Sequence, residues 1–221
     1  MTSDLVVFGE DWGRHPSSTQ HLVKRLVKSR RVLWVNSVGM RRPRLNARDL
    51  GRIAGRLLGT RSVGHAKSAS APVAGLPDGM TQLSPMVVPW PGSRAAFAAN
   101  RILLQRQVSQ SMRLRGIERP VLWTSLPTAL PVVGKLGERA LVYYCGDDFG
   151  ALVGVDHAPV LELERRLVAK ADLVLAASEA LAAKFPTHKT LHMPHGADIG
   201  LFANAVPRAI DLPDGKVVGF Y

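Results

Sequence analysis

One cysteine, Cys145, stands in 221 residues, so no disulfide can close within the chain and no cysteine-based zinc cluster can be built. That scarcity agrees with a reducing compartment. No run of about eighteen apolar residues occurs, so a membrane-spanning helix is not expected. The start MTSDLVVFGE also lacks the basic region and small-residue cleavage site of a signal peptide. The expected location is cytoplasmic. A glycine fingerprint is missing too. No G-x-G-x-x-G follows the first apolar run, and no acid ends the second, where Asn36 and Ser37 stand. This argues against a dinucleotide-dependent oxidoreductase.

Acid is scarce in one half only. Up to Pro120 there are 20 Lys or Arg against 6 Asp or Glu, and beyond it 9 against 11, within a net charge of +12. Such asymmetry points to an anionic partner, whether nucleic acid, a phospholipid surface or a phosphorylated substrate.

Apolar residues make up 46% of the chain, ample for a folded core. Short β-type runs recur at LVVF (Leu5 to Phe8), VLWV (Val32 to Val35), MVV (Met86 to Val88), VLW (Val121 to Trp123), ALVYY (Ala140 to Tyr144), DLVLAA (Asp172 to Ala177) and TLHM (Thr190 to Met193). Segments with helical spacing lie between most of them. In SRAAFAANRILLQRQVSQSMRLRG, Phe97, Ile102, Leu104, Val108 and Met112 are expected to be buried while Arg94, Arg101, Arg106 and Arg113 stay in water. HLVKRLVKS, LELERRLVAKA and SEALAAKF read as further helices. Strands alternating with helices require right-handed crossovers, hence a Rossmann-like, doubly wound, mostly parallel α/β sheet with helices on both faces. Ligands of such sheets bind beyond the carboxyl ends of the strands. Four polar loops there, GEDWGRHPSS, NSVGMRRP, TSLPT and CGDDFG, should converge on one cleft. The only low-complexity piece, Gly64 to Gly79, reads as a surface excursion.

In the first loop Gly13 permits close backbone approach, Arg14 offers a fixed cation and His15 can donate, accept or titrate. Ser17 with Gln20 fits the reciprocal N-cap pattern, Ser17 accepting from the first turn and Gln20 reaching back. Two readings stand: a loop for a phosphorylated ligand, or a plain surface loop before a capped helix. In YYCGDDFGALVGVDHAPV, Asp147 and Asp148 end a strand and His157 precedes a helix. These groups either hold sugar hydroxyls and assist proton transfer, or merely cap a turn and start the helix. Cys145, at the tail of an apolar strand, reads as a structural thiol and not as a nucleophile. His188, His192 and His195 invite a metal reading, but Pro194 breaks any helix that would align them, and a strand throws neighbours to opposite faces. His195 instead rides a PHG turn toward the cleft.

Arg44, Arg48, Arg52 and Arg56 recur every four residues beside Leu50, Ile53, Ala54 and Leu57, a basic amphipathic helix. It either lies on anionic lipid or packs its apolar stripe on its own domain. Nucleic acid is not the expected partner, since the basic stretch holds no aromatic residue for base stacking. At the end, PRAIDLPDG reads as a linker and KVVGFY as a fresh buried strand. The expected division is residues 1–205 as one domain and 206–221 as a linker with the first strand of a second.

VVFGEDWGRHPSSTQHL, VLWVNSVGMRRPRL, VYYCGDDF and ADLVLAASEALAAKF…MPHGADIGLF, in this order from Leu5 to Phe202, resemble the amino-terminal half of a GT-B glycosyltransferase. The likeness is to family-4-type, retaining, hexosyltransferase-like enzymes of bacterial cell-surface polysaccharide synthesis. The resemblance implies two Rossmann-like domains, the first holding the acceptor and the second the nucleotide sugar. This chain corresponds to the first, and no residue matches the second domain's Glu-rich donor motif or its phosphate-gripping Lys and Arg, so the chain by itself is expected to be inactive. Gly13, Arg14 and His15 would then face the donor's diphosphate. Asp147, Asp148 and His157 would position the acceptor, and Ser37, Ser125, Ser178, Glu179 and His195 would line the acceptor side of the cleft. No tightly bound cofactor is implied, the nucleotide sugar being a substrate. No metal is implied either, because Asp147 and Asp148 are adjacent and form no D-x-D. A glycan or lipid-linked acceptor would bring the enzyme to the inner face of the plasma membrane through Arg44, Arg48, Arg52 and Arg56. The competing reading is a non-catalytic membrane- or polysaccharide-binding domain that keeps the fold without the chemistry.

Overall fold

A computed structural model describes residues 3–37, 76–88, 90, 92–196, 199–203, 207, 212–213 and 215. Six of the seven apolar runs become strands: β1 (Leu5–Phe8), β2 (Val32–Val35), β4 (Val121–Thr124), β5 (Ala140–Cys145), β6 (Leu173–Ala176) and β7 (Thr190–His192). All four residues of β1 and of β2 are buried. A strand covered on both faces needs no polar alternation, which is why these runs read as continuous apolar stretches.

The third run does not form a strand. Strand β3 is Met80–Leu83, paired in parallel with β2, while Met86 and Val88 lie in irregular backbone. Their peptide groups are met by side chains. Gln107 accepts from the Met86 amide at 2.9 Å and donates to its carbonyl at 2.9 Å. Asn100 does the same for Val88 at 2.7 and 2.8 Å. With those groups satisfied, no ladder is required, and Met86 is left 56% exposed.

The strand order is β3-β2-β1-β4-β5-β6-β7, every pair parallel. The chain steps outward from β1 to β3, then returns to place β4 on the other side of β1 and continues to β7. Helix α1 (Ser18–Leu26) follows β1, α2 (Arg94–Leu114) carries the return, α3 (His157–Lys170) joins β5 to β6, α4 (Glu179–Ala182) joins β6 to β7, and α5 (Ile199–Ala203) follows β7. Ser18 of α1 shares contacts with Tyr144, whereas Glu164 of α3 accepts a hydrogen bond from Tyr143. Adjacent strand residues point to opposite faces, so α1 and α3 cover opposite faces of the sheet. Helix α2 lies beside α3, with the Arg166 guanidinium 5.0 Å from the Phe97 ring centre.

Helix α2 buries Ala96, Asn100, Leu104, Val108 and Met112, a single row of every fourth residue. Ile102 was expected in that face and is instead 47% exposed, because two positions before Leu104 is the far side of a helix. The segment SEALAAKF forms only the single turn of α4, after which Phe185 packs edge-on against Tyr143 at 6.0 Å. The helix expected around Arg44, Arg48, Arg52 and Arg56 lies outside the described residues, as does most of 206–221. No described helix is long and apolar enough to cross a membrane.

At the carboxyl end of β1, Gly9 rests on the fully buried Trp34 ring. A Cβ at Gly9 would sit 2.5 Å from Trp34 Cζ2, far inside contact distance, and the indole cannot retreat because its Nε1 donates to the Glu10 carbonyl at 3.0 Å. Gly9→Ala is therefore expected to cost about 1–3 kcal/mol by overpacking, measurable as a lowered urea midpoint. An unchanged midpoint would mean that the ring has room to move.

Candidate functional site

The connections on the two sides of β1 run in opposite directions, so a crevice opens between the loops after β1 and β4. Side chains tie the surrounding loops together. Asn36, buried at the end of β2, accepts from the Trp12 amide at 3.3 Å and from Gln82 at 3.0 Å, and donates to Ser84 at 2.9 Å. Asp11 accepts from the Ser37 amide at 3.2 Å and from its hydroxyl at 2.9 Å. Thr19 and Ser125 share a hydrogen bond of 2.7 Å that spans the crevice from α1 to the β4 loop. On the β5 and β7 side, His195 Nδ1 lies 2.7 Å from the Ser18 hydroxyl and 3.3 Å from that of Tyr144.

The β1–α1 loop is built around Gln20. Ser17 caps α1 by accepting from the Gln20 amide at 3.2 Å. The Gln20 side chain does not return to the cap residue's own amide as the reciprocal pattern expects. It accepts from the Gly13 amide at 3.2 Å and donates to the His15 carbonyl at 2.9 Å and to Glu10 at 2.8 Å. Glu10 also accepts from the Ser17 hydroxyl. The Gly13 amide therefore points into the loop and not toward a ligand, and its φ of +75° is a conformation that glycine adopts without strain. Arg14 and His15 remain exposed at the rim, with Arg14 3.9 Å from Asp11.

After β5 the carboxylates have different surroundings. Asp147 is exposed, and its carbonyl accepts from the Cys145 thiol at 3.3 Å. Asp148 pairs with Lys184 and accepts from the Gly150 amide at 3.0 Å. The hydrogen bond from Lys184, and then that from Gly150, holds its carboxyl below the usual carboxylate range. It is a fixed anion and not a proton donor. His157 opens α3, and its Nε2 lies 2.9 Å from the Leu152 carbonyl. A carbonyl only accepts, so this nitrogen carries the proton and a neutral ring leaves Nδ1 as an acceptor. Ser178 caps α4 by accepting from the Leu181 amide at 3.2 Å, with Glu179 in the first turn. Burial pushes the Cys145 thiol up to about 12, which keeps it protonated. Burial likewise raises Tyr143 and Glu164 behind the same loop.

The sequence reading missed Glu10, Ser18, Thr19, Asn36 and Tyr144. The signal of the first four was position, polar residues just past strand ends or on a first helical turn, whereas Tyr144 lies within β5 and carried none. Which partners they find depends on strands far apart in sequence.

The strand order and crevice define the class, a Rossmann-like α/β domain. No family model matches the sequence, and no curated protein matches it. Among solved structures the fold is similar to that of Anabaena Alr3699/HepE, solved in complex with UDP and glucose. Identity is 15% and the TM-score 0.50, with 91% of this chain and 46% of that one covered. The chain thus spans about half the length of that structure. The spore cortex-lytic enzyme SleL of Bacillus megaterium QM B1551 is matched at 10% identity and a TM-score of 0.33, over 86% of this chain and 49% of that one, too distant to support any argument.

Replacing Gln20 by Ala leaves the Gly13 amide and His15 carbonyl without their partner. A loss of about 1–3 kcal/mol is expected, together with faster hydrogen exchange at Gly13. Unchanged exchange there would show that Gln20 does not organise the loop.

Proposed function

We propose that the chain is the acceptor-side domain of a GT-B glycosyltransferase of the retaining, family 4 type. It would take part in transferring a hexose from a nucleotide sugar to a glycan or lipid-linked acceptor of the bacterial cell envelope. The observation that carries this reading is the convergence of the loops after β1, β2, β4, β5 and β7 on one crevice, with Arg14 and His15 at its rim. The order of the sequence motifs and the fold shared with HepE, which was solved with UDP and glucose, support it. Most nucleotide contacts would come from a second domain.

In this reading Arg14 stabilises the charge that develops on the departing diphosphate. The acceptor hydroxyl oxygen attacks the anomeric carbon on the face from which the diphosphate leaves. The bond to the phosphate oxygen breaks, and that oxygen takes the hydroxyl proton, so no protein nucleophile is required. Asp148, held ionised, accepts a hydrogen bond from a sugar hydroxyl, and His157 Nδ1 can accept another. Asp147 is free to turn toward the same sugar. Ser37, Ser125 and Glu179 contribute further polar lining. Neither a tightly bound cofactor nor a metal enters this scheme, and nucleic acid is not a partner.

One observation favours the non-catalytic alternative. Asp148 and His157 both spend hydrogen bonds on the chain itself, as residues that only hold a loop would.

Thermal shifts with UDP, GDP, dTDP, ADP, NAD and NADP separate the readings. Ligand at about 100 times its dissociation constant adds roughly 2.7 kcal/mol, a rise of several degrees for a chain of this size. With the chain joined to a second domain, one nucleoside diphosphate is expected to raise the midpoint and NAD to leave it unchanged, while the chain by itself responds weakly or not at all. A response of the chain to NAD, or no response of the two-domain protein to any nucleoside diphosphate, overturns the glycosyltransferase reading.

Peripheral contact with the inner face of the plasma membrane through Arg44, Arg48, Arg52 and Arg56 belongs to the same proposal. Each cation near an anionic surface contributes about 1 kcal/mol, so changing all four to Gln is expected to weaken binding to anionic vesicles by about a hundredfold or more. Unchanged binding would remove the membrane from the scheme.

A further inference from the structure

The three histidines near the end of the chain are not equivalent. His188 lies in the turn before β7 and His192 ends that strand, but His195 is gripped by segments distant in sequence. Its Nδ1 meets Ser18 from the first turn of α1 and Tyr144 from β5. Gly146 lies beneath the ring: a Cβ there would stand 3.8 Å from His195 Cε1 and 3.4 Å from Tyr144 Cε1. Tyr144 is itself fixed, being buried and stacked on Trp123 at 6.1 Å.

We propose that His195 is a ligand-binding residue of the crevice, held by Ser18 and Tyr144 in the tautomer with its proton on Nε2, so that Nε2–H donates to a phosphate or sugar oxygen. The assignment of that oxygen rests on the glycosyltransferase reading; the tautomer does not.

Two hydroxyls converge on one ring nitrogen. Each has a proton to give, and burial raises the Tyr144 phenol so that it keeps its proton. A neutral imidazole has one donor nitrogen and one acceptor nitrogen. If Nδ1 carried the proton it could accept from neither hydroxyl, and Ser18, which also hydrogen-bonds Tyr144, would have to accept from the ring and from the phenol at once. With Nδ1 as acceptor both hydroxyls donate and the proton sits on Nε2. His195 is exposed, and Nε2 has no partner among the described residues. The ring therefore presents a donor of fixed direction beside the start of α1. A donor already oriented loses little freedom when it binds.

A tether alone would need only Nδ1, so the test addresses each nitrogen separately. In the 221-residue chain, the ¹⁵N-correlated imidazole spectrum is expected to show an unprotonated Nδ1 and a protonated Nε2. The combined change Ser18→Ala and Tyr144→Phe should mix the two tautomers. UDP, inorganic pyrophosphate and glucose are then titrated in turn, and at least one is expected to shift Nε2. Gln approximates the position of Nε2 and Asn that of Nδ1. His195→Gln should therefore keep the affinity for the responding probe within a few-fold, while His195→Asn loses about tenfold, one hydrogen bond.

A proton on Nδ1, or a tautomer indifferent to Ser18 and Tyr144, overturns the inference whatever binds. A probe that binds and shifts other residues but leaves Nε2 untouched reduces His195 to a tether and overturns the donor role, with the glycosyltransferase reading intact. If none of the three probes binds, the donor role fails while the tautomer still stands as measured, and the glycosyltransferase reading is decided separately by the nucleotide shifts of the two-domain protein.

Discussion

The indole of Trp34 under Gly9 is the contact on which the crevice depends. Trp34 belongs to β2, is fully buried, and meets Trp12 edge-on at 4.8 Å. Its Nε1 holds the Glu10 carbonyl, which fixes where the chain leaves β1. From there the order passes outward through side chains. Glu10 holds Ser17 and Gln20, and Gln20 holds Gly13 and His15. A rigid core residue therefore determines how Arg14 is presented at the rim. Core packing tolerates little displacement, so the loop inherits the sheet's stiffness.

The crevice is electrically mixed, although the chain as a whole carries +12. Arg14 is only loosely balanced by Asp11, while Asp148 is closely paired with Lys184. Behind the β5 loop, Tyr143, Cys145 and Glu164 form a buried cluster whose members are all shifted toward their protonated forms. Burial disfavours charge there, and the Tyr143 hydroxyl and Glu164 carboxyl satisfy each other instead. The charges at the crevice rim, Arg14, Asp147 and Asp148, stand near water, where a polar ligand can meet them without first breaking a buried ion pair.

The parallel sheet was legible in the sequence because its central strands, buried on both faces, are apolar throughout, and six apolar runs became strands, the exposed edge strand β7 among them. The run at Met86 to Val88 misled because its backbone is satisfied by Asn100 and Gln107, two side chains on a helix that local apolarity does not reveal. The loops that surround the crevice were legible from their place at strand ends. Their internal bonding was not: Gln20 was expected to cap a helix and proved to hold a loop.

The sequence by itself determined the alternation of strands and helices, the α/β class and the positions of the polar loops. These follow from short-range constraints: the period of apolar residues, the capping chemistry of Ser17 and the turn preferences of Gly and Pro. Only the tertiary structure decided that Ser18, Tyr144 and His195 meet, that Thr19 reaches Ser125, and that Asp148 is neutralised by Lys184. Those pairings depend on the strand order, in which β4 crosses back beside β1 and residues far apart in the chain arrive at one sheet edge. Such contacts leave no local trace, because each residue alone is an ordinary polar group on a loop or a first helical turn or, for Tyr144, an ordinary strand residue.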